Sequence, residues 1–378
     1  MVHIASVRVP ALAGIAALMV AAAGSLAAVS PAAAAGPDLA AAQAIVDAHS
    51  KIPDFVPPGP PFDAKACMAG KKLLSIPVSS SIPFVDGIES SMAGVAKEIG
   101  FEFQQWKNQG QPTQWVQGME FGTNNGFTAI DLMGGIIPSS LGPQVAAAKA
   151  AGVHVFASHY ADTTQPRDPA AEVNLALPFN EVGKTIAAWI TVKTGGKANV
   201  LIIGSEDVLP TDPYRKKIES TLDELCGDGC KHSYVNVTIP NWSTKIQTTV
   251  QSALIADPTI NYIVPVYDSM SQFVLPALTI TGRKDVKIAT FNGTPFIIDM
   301  IQKGDVEMDV GESLGWIARS TLDGYMRKLC GLETYDTLNV PLYIFSAENA
   351  KDAGVPADFD KGYGDKHVDG FAKLWGLK

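Results

Sequence analysis

The sequence lacks a concentration of positive charge and a cysteine–histidine pattern. Its 378 residues include 29 Lys and Arg against 38 Asp and Glu, which gives a formal net charge of −9. The longest basic cluster, Arg215-Lys216-Lys217, is short and typical of a solvated helix face. Without a basic stripe, the composition argues against nucleic-acid binding. The four cysteines form no metal signature, because no histidine or second cysteine pair completes the spacing.

Long hydrophobic runs are absent beyond the first 35 residues, so no later segment predicts a membrane span. Arg8 is the only charged residue in positions 1–35, and an apolar, alanine-rich run follows it over residues 9–29. Ala33-Ala34-Ala35 offer small residues before a cut at Gly36, which predicts a cleaved signal peptide. A membrane anchor is the alternative, but the Ala and Gly content makes the run weakly hydrophobic. No cysteine follows closely, which argues against a lipid anchor. We therefore expect a secreted protein of the periplasm or cell envelope.

Four cysteines in an exported chain predict disulfides. Cys226 and Cys230 bracket Gly227-Asp228-Gly229, a flexible loop that can close a small ring, and we predict that they are bridged. Cys67 and Cys330 are left over, and the residues alone leave their pairing open.

The length and the apolar fraction of 47% describe a globular protein with room for two domains. Residues 36–70 form a lead-in, with a short helix predicted over 38–50 and a proline-rich extended strap over 53–61. From Lys71, short apolar runs alternate with helical patterns. The predicted strands of the first series are 73–78, 101–106, 128–133, 153–157 and 172–176, and those of the second are 198–203, 234–239, 261–266, 286–290, 306–310 and 340–345. Two such series predict an α/β protein with two parallel sheets whose strand ends face a common cleft.

Aromatic and polar residues recur at the predicted strand ends. One such stretch runs from Lys287 to Pro295, where an apolar strand leads to Phe291 and Asn292 at a turn, and Gly-Thr-Pro opens a helix. The other strand-end residues are Phe84, His159, Tyr160, Trp242, Tyr267, Asp268 and Glu312. Because ligands bind off the carboxyl ends of strands in open α/β sheets, we predict a binding cleft there. Aromatic faces beside fixed hydrogen-bonding groups suit a sugar or polyol.

Three segments carry a family resemblance. They are Pro83-Phe84 after the first strand, Asp257-Pro258 before the strand that ends in Tyr267-Asp268, and Phe291-Asn292-Gly293-Thr294-Pro295. In these segments the chain resembles the periplasmic sugar-binding proteins of ribose-binding type, which feed ABC importers, and the resemblance covers residues 71–345. It implies the type I fold of that family, two doubly wound parallel-sheet lobes joined by a three-crossover hinge. It also implies a monomeric binding protein, without enzymatic activity or cofactor, that passes a small ligand to an ABC transporter permease.

The resemblance also assigns residues to the cleft. Phe84 and Trp242 stand where the family has stacking aromatics on its two lobes, and Arg215 falls close to an arginine that faces the ligand. Asp268 and Phe291 match the family pattern. The departures are Asn292 for Asp, Glu312 for Gln, Tyr267 and Ile82 for Asn, and His159-Tyr160 for the Asp-Arg pair that clamps sugar hydroxyls. The implied cleft is therefore more aromatic, and a modified sugar or another partly apolar solute also fits it.

The family's domain layout can be transferred to this chain. It places residues 70–177 and 313–338 in the first lobe, residues 178–312 and 339–350 in the second, and residues 351–378 in a C-terminal tail. Lobes connected in this way close around a ligand by hinge motion. The layout also returns the helix that ends at Cys330 to the lobe that starts near Cys67, which makes a second disulfide plausible.

A different class of protein is suggested by Gly311-Glu312-Ser313-Leu314-Gly315, which matches the nucleophile elbow G-x-S-x-G between a strand and a helix. His367 lies downstream, and the acids that could complete a triad are Asp336, Asp358, Asp360 and Asp365. Such an exported serine hydrolase needs further strands after the elbow and an oxyanion motif, and only residues 340–345 supply a strand. A third hypothesis keeps the binding fold in a ligand-sensing receptor component, and the sequence does not separate sensing from import.

Overall fold

The structure is a computed structural model that describes residues 36–359 and 361–378, so the predicted signal peptide lies outside the described residues. Its strands are β1 Lys72–Pro77, β2 Glu102–Gln105, β3 Ala129–Met133, β4 His154–Asp162, β5 Val173–Leu177, β6 Asn199–Gly204, β7 Lys231–Asn236, β8 Tyr262–Pro265, β9 Lys287–Asn292, β10 Met308–Gly311 and β11 Tyr343–Ser346. Its α-helices are α1 Leu39–Ala48, α2 Ala64–Met68, α3 Pro83–Ile99, α4 Pro112–Asn124, α5 Gly142–Ala150, α6 Phe179–Thr194, α7 Thr211–Cys226, α8 Trp242–Ala256, α9 Ser271–Thr281, α10 Pro295–Lys303, α11 Leu314–Leu329 and α12 Lys366–Leu374. None of these described helices is both long and apolar enough to cross a bilayer.

The first sheet contains five parallel strands in the order β2-β1-β3-β4-β5. Strand β3 is buried along its whole length, as expected of a central strand covered by helices on both faces. Pro83 occupies the first turn of α3, where its missing N–H costs nothing, and Gly100 ends the helix with a φ of 99°. These signals fix where the chain turns between β1 and β2, and so place Phe84 at the carboxyl edge of the sheet.

The second sheet contains six strands in the order β11-β10-β9-β8-β6-β7. Five of them are parallel, and β11 runs antiparallel to β10, with Gly311 paired to Tyr343. The last strand therefore departs from the parallel arrangement that the pattern predicted. The reason is that the chain leaves β10 at its carboxyl edge, passes through α11, and re-enters the sheet at the same edge. No helix carries it back to the opposite edge first.

Three segments connect the sheets. The chain passes from β5 to α6 over residues 177–179, from β10 to α11 over residues 311–314, and back toward β11 beyond Thr337. Helix α11 packs against α3 beside the first sheet, and Leu338 donates its N–H to Ala176 O at 2.8 Å. The predicted pair of α/β lobes joined by three crossovers is thereby confirmed.

Segments outside the predicted hinge also join the two lobes. Helix α1 packs on α6, whereas α2 packs on α11. The predicted C-terminal tail contains a helix, since α12 contacts α11 and the indole of Trp375 donates to Asp323 at 2.8 Å. Strap and tail are tied directly, since Phe62 N donates to Leu374 O at 2.9 Å. The residue limits assigned to each lobe stay a prediction.

Both disulfides are present in the structure. Cys226 and Cys230 bridge the loop between α7 and β7 with Cα atoms 5.5 Å apart. Cys67 of α2 is joined to Cys330 at the end of α11, with Cα atoms 5.8 Å apart. Both separations lie within the usual range for disulfides.

Candidate functional site

A small cavity lies between the two sheets at the carboxyl ends of their strands. Its first wall is formed by Val78, Ile82, Phe84, Val85, Gly134 and His159. Its second wall is formed by Phe179, Val208, Pro210, Trp242, Tyr267 and Asn292. Because the walls come from different sheets, the site is complete only when the two lobes face each other.

The first wall is built around Phe84 and His159. Phe84 is the second residue of α3, only 4% exposed, and its ring lies 4.9 Å from the His159 ring in an edge-on arrangement. His159 in turn meets Phe179 edge-on at 5.3 Å. Edge-to-face contacts of this kind are favourable, and they hold the three rings in a fixed relation across the cleft.

The second wall is built around Trp242 and Tyr267. Their rings are nearly parallel, 6.4 Å apart with 29° between the planes. The Trp242 indole N–H is shared between Val237 O at 2.9 Å and Ser205 Oγ at 3.1 Å. The Tyr267 hydroxyl lies 2.9 Å from Thr211 Oγ1. The polar atoms of both side chains are therefore bound within the second lobe, and what they present to the cavity is aromatic surface.

Within the cleft, a hydrogen bond links strand β4 of the first lobe to the residue that follows β10 in the second. His159 Nε2 lies 2.6 Å from Glu312 Oε1, and Asn292 Nδ2 donates to the same oxygen at 3.4 Å. Glu312 is fully buried, and no described residue gives a hydrogen bond to its Oε2. His159 and Asn292 have φ of 47° and 138°, conformations that are sparsely populated and concentrate at functional sites. The polar part of the cleft is thus a three-residue group that spans both lobes.

Asp268 lies behind the second wall and supports the turn that carries Asn292. It accepts hydrogen bonds from Thr294 N at 2.9 Å and from the Thr294 hydroxyl. Gly293 completes this turn with a φ of 77°, where a side chain would collide with the Tyr363 hydroxyl. Burial raises the pKa of Asp268 to about 7. Burial likewise raises the pKa of Asp309 well above its ordinary value, and the nearby Asp268 adds to the rise. Asp268 therefore positions the turn and does not line the cavity.

Three other predicted residues are not brought to the cavity. The Arg215 guanidinium pairs with Glu219 at 2.7 Å and Asp212 at 3.0 Å, because Arg215 lies a turn inside α7 while Pro210, just before that helix, reaches the cleft. Tyr160 follows His159 within β4 and points to the other side, where its hydroxyl accepts from Asp168 N at 3.0 Å.

Phe291 is the third of these residues, and it belongs to the core of the second lobe. It is fully buried, with its ring edge-on to Phe179 at 5.7 Å and to Tyr214 at 5.9 Å. Its neighbour Asn292 reaches the cavity instead, since successive side chains of a strand point to opposite sides.

Several lining residues were missed because they are aliphatic. Val78 directly follows β1, Gly134 directly follows β3, and Val208 and Pro210 lie between β6 and α7. The rule that ligands lie beyond strand ends identifies all of these positions. A search restricted to aromatic and polar residues passes over them.

The G-x-S-x-G segment serves as a helix start in this structure. Ser313 is the N-cap of α11, and its Oγ accepts from Trp316 N at 3.2 Å. The His367 ring stacks on Trp316 at 4.6 Å, and neither of its nitrogens has a hydrogen-bond partner among the described residues. Burial lowers the pKa of His367 to about 4. Asp360, one of the acids considered for a triad, lies outside the described residues.

We expect a fluorophosphonate probe to leave Ser313 unlabelled. The side chain is 1% exposed, and among the described residues its oxygen is engaged as a helix cap and not by a base. Mass spectrometry of the peptide that contains Ser313 provides the measurement, with an active serine hydrolase labelled in parallel as the positive control. Stoichiometric labelling that disappears in Ser313→Ala would establish an activated nucleophile instead.

Comparison with known proteins relates this geometry to a family. The family model described as "Periplasmic binding protein domain" matches residues 74–333. No curated protein sequence matches the chain.

Solved structures share the fold at low sequence identity. A solute-binding protein of an ABC transporter from Agrobacterium vitis, solved with bound allitol, is 17% identical and superposes with a TM-score of 0.67 over 76% of this chain and 98% of its own. A sugar ABC transporter protein from Yersinia enterocolitica gives 17% identity and a TM-score of 0.69 over 85% and 99% of the two chains. A solute-binding protein of an ABC transporter from Bacillus halodurans, solved with bound myo-inositol, is 16% identical and gives a TM-score of 0.64 over 76% of this chain and 98% of its own.

Proposed function

Since this chain belongs to the periplasmic binding protein family, we propose that it captures a small ligand between its two lobes and delivers it to an ABC importer. Its working place is outside the cytoplasm, in the periplasm or cell envelope, after removal of residues 1–35. It acts as a monomeric carrier whose partner is the permease of the importer.

The observation that carries this proposal is the cavity itself. Both walls stand at the carboxyl ends of parallel strands, and each lobe contributes six lining residues. The lobes enclose about 30 Å³ there. Pockets for small ligands usually measure roughly 300–1,000 Å³. A ligand therefore enters only after the lobes open about the three crossovers, and the bond between His159 and Glu312 breaks and re-forms during that motion.

The solved structures with bound allitol and myo-inositol support a ligand that is small and uncharged. Both ligands are polyols, in agreement with the sugar or polyol predicted from the sequence.

Replacing Trp242 with alanine is expected to weaken ligand binding by about 1–3 kcal/mol, through loss of stacking and apolar contact. Native mass spectrometry of protein purified gently from its own host shows whether a small molecule supplied by the host stays bound. The parent should retain a small molecule and Trp242→Ala should lose it.

Trp106→Ala is the matched control for this variant. Trp106 is a half-buried tryptophan of the first lobe whose indole donates to Gln114 O at 2.8 Å, and it does not line the cavity. This variant should keep the ligand although it also removes a tryptophan, and thermal melts of both variants confirm that each is folded. Equal retention by the parent and Trp242→Ala would place the ligand elsewhere.

A further inference from the structure

The side chains that line the enclosed cavity include few groups that bind hydroxyls. Ten of the twelve lining residues are apolar or aromatic, and none is Lys, Arg, Asp or Glu. The polar exceptions are His159 and Asn292. A closed sugar site needs several charged or amide side chains to replace the water around each hydroxyl. The lining of the enclosed cavity does not supply them, and the nearby amides Gln109 and Gln272 line a neighbouring pocket instead.

Most polar atoms on the lining side chains are already occupied. The Trp242 N–H is bound to Val237 O, and the Tyr267 hydroxyl is bound to Thr211. His159 Nε2 and Asn292 Nδ2 both meet Glu312 Oε1. This leaves His159 Nδ1 and Asn292 Oδ1 as the lining side-chain atoms without a partner in the described part of the chain. They can serve one or two polar groups of a ligand.

The charges around the cleft disfavour an anion. Arg215, the cation predicted to face the ligand, is held by two acids of its own helix. Asp268, Asp309 and Glu312 are fully buried behind the second wall. A carboxylate or phosphate on the ligand would therefore find no cation in the lining to balance it, and the acids behind the wall add no compensation, which costs binding energy.

From these observations we propose that the cleft takes a neutral, largely apolar ring compound, aromatic or alicyclic, with one or two hydrogen-bonding groups, in preference to a free sugar or polyol. This inference rests on the proposed function and specifies the ligand of the same cleft. The ring lies between Phe84 on one side and the parallel pair of Trp242 and Tyr267 on the other, which offer edge and face contacts. Its polar group meets His159 and Asn292.

The size of the preference for an apolar ring depends on how many hydroxyls of a sugar or polyol find no hydrogen-bond partner in the cleft. Each buried hydroxyl that finds no partner weakens binding roughly 5- to 150-fold. A polyol carries several more hydroxyls than the cleft can satisfy, whereas a phenol or an alicyclic alcohol carries one. Even after partial compensation by backbone groups and water, we expect at least about a tenfold difference in Kd between matched rings.

Calorimetry and ligand-observed NMR with two matched series test the proposal on the full-length mature protein. The apolar series is phenol, indole and cyclohexanol, and the polyhydroxylated series is myo-inositol, D-ribose and D-glucose. Cyclohexanol and myo-inositol share one carbon ring and differ in their hydroxyls, so their ratio isolates the preference. The expected result is tighter binding of the apolar series, lost in Trp242→Ala and kept in Trp106→Ala.

A second variant tests the proposed hydrogen bond between Asn292 and the hydroxyl of the ligand. Asn292→Gly removes the amide and tolerates the φ of 138° at this position. It should weaken the binding of phenol by a larger factor than the binding of toluene, which has no hydroxyl.

The remaining outcomes separate the two proposals. Tighter binding of a sugar or polyol that depends on Trp242 would overturn the ligand class and leave solute capture standing. Both proposals would be overturned if either series binds equally well to the parent and to Trp242→Ala. They would also be overturned if neither series binds and the parent and Trp242→Ala retain a host ligand equally. A polyhydroxylated molecule retained from the host and lost in Trp242→Ala would overturn the ligand class alone.

Discussion

Replacing Cys67 and Cys330 together with serine is expected to lower the free energy of unfolding by about 3–5 kcal/mol. The two cysteines are 263 residues apart, so their bridge closes a loop over most of the chain. A cross-link of that span removes many conformations from the unfolded chain, and the effect grows with the number of residues enclosed. Both cysteines are half-buried, so the two serines add little desolvation cost of their own.

The second disulfide of the chain is the matched control. Cys226 and Cys230 are only 4 residues apart, and the same argument gives about 2 kcal/mol or less for Cys226→Ala with Cys230→Ala, where alanine avoids burying a serine hydroxyl at position 226. Urea unfolding of both double variants and the parent, followed by circular dichroism, measures the difference. Equal losses in the two double variants would show that constraint of the unfolded chain is not the main effect of the long-range bridge.

The long-range bridge also has a local consequence in the folded protein. It fastens α2 to the end of α11, and the residues just before α2 reach back to the tail through the bond from Phe62 N to Leu374 O. Loss of the bridge should therefore loosen strap and tail first. Hydrogen exchange in the double variant should rise in residues 53–68 and 366–378 before it rises in either sheet.

The central strands could be predicted from the sequence because burial on both faces leaves an uninterrupted apolar run. The predicted strand 128–133 differs from the observed Ala129–Met133 by one residue. The edge strand β7 was predicted over 234–239 and is observed over Lys231–Asn236. The limits of β7 are set by its pairing with β6, which begins with Asn199 opposite Lys231. Because the side chains of this edge strand alternate in exposure, its hydrophobicity alone does not locate it.

The C-terminal helix carries a periodic signal in its sequence. His367, Phe371 and Leu374 are buried at spacings of four and three residues, which is the period of an amphipathic helix. A tail that buries such a face against another helix is part of the core, and Trp375 is accordingly 1% exposed.

The candidate site could be predicted in part, and the limit lies in side-chain direction. The strand-end rule located Phe84, His159, Trp242, Tyr267 and Asn292, all of which line the cavity. It does not state which of two consecutive residues faces the ligand, and so it included Tyr160 and Phe291. The rule also does not state which way a side chain inside the following helix points. Arg215 was therefore assigned to the cleft, although its partners lie on its own helix.

A buried polar layer in the first lobe makes stability depend on pH. Glu89 of α3 is fully buried, and neither of its carboxylate oxygens has a hydrogen-bond partner among the described residues. Asp131 of β3 is also fully buried, although it accepts from Tyr325 at 2.6 Å and Ser158 at 3.0 Å. Burial raises the pKa of Glu89 to about 8 and that of Asp131 to about 7. Each group is therefore protonated in the folded protein at pH values where the unfolded chain has released its proton.

The direction of the effect follows from proton counting. Between about pH 4.5, the ordinary pKa of Glu89, and about pH 8, its folded value, the folded state holds more protons than the unfolded state. The stability that this group contributes is complete below that window and is lost as the pH rises through it. Asp131 acts in the same direction up to about pH 7. The free energy of unfolding should therefore fall from pH 5 to pH 9, although His367, with its lowered pKa of about 4, acts in the opposite direction below about pH 6.5.

Glu89→Gln is expected to remove several kcal/mol of this fall, on the order of 3–5 kcal/mol between pH 5 and pH 9. Glutamine has nearly the shape of protonated glutamate and cannot ionise, so the variant should resemble the parent at pH 5 and exceed its stability at pH 9. Glu98→Gln on the exposed side of the same helix serves as the control and should follow the parent at every pH. Urea unfolding at pH 5, 7 and 9 supplies the three curves. If Glu89→Gln loses stability as steeply as the parent, the dependence belongs to the buried aspartates Asp131, Asp268 and Asp309, and the second lobe then contributes to it as well.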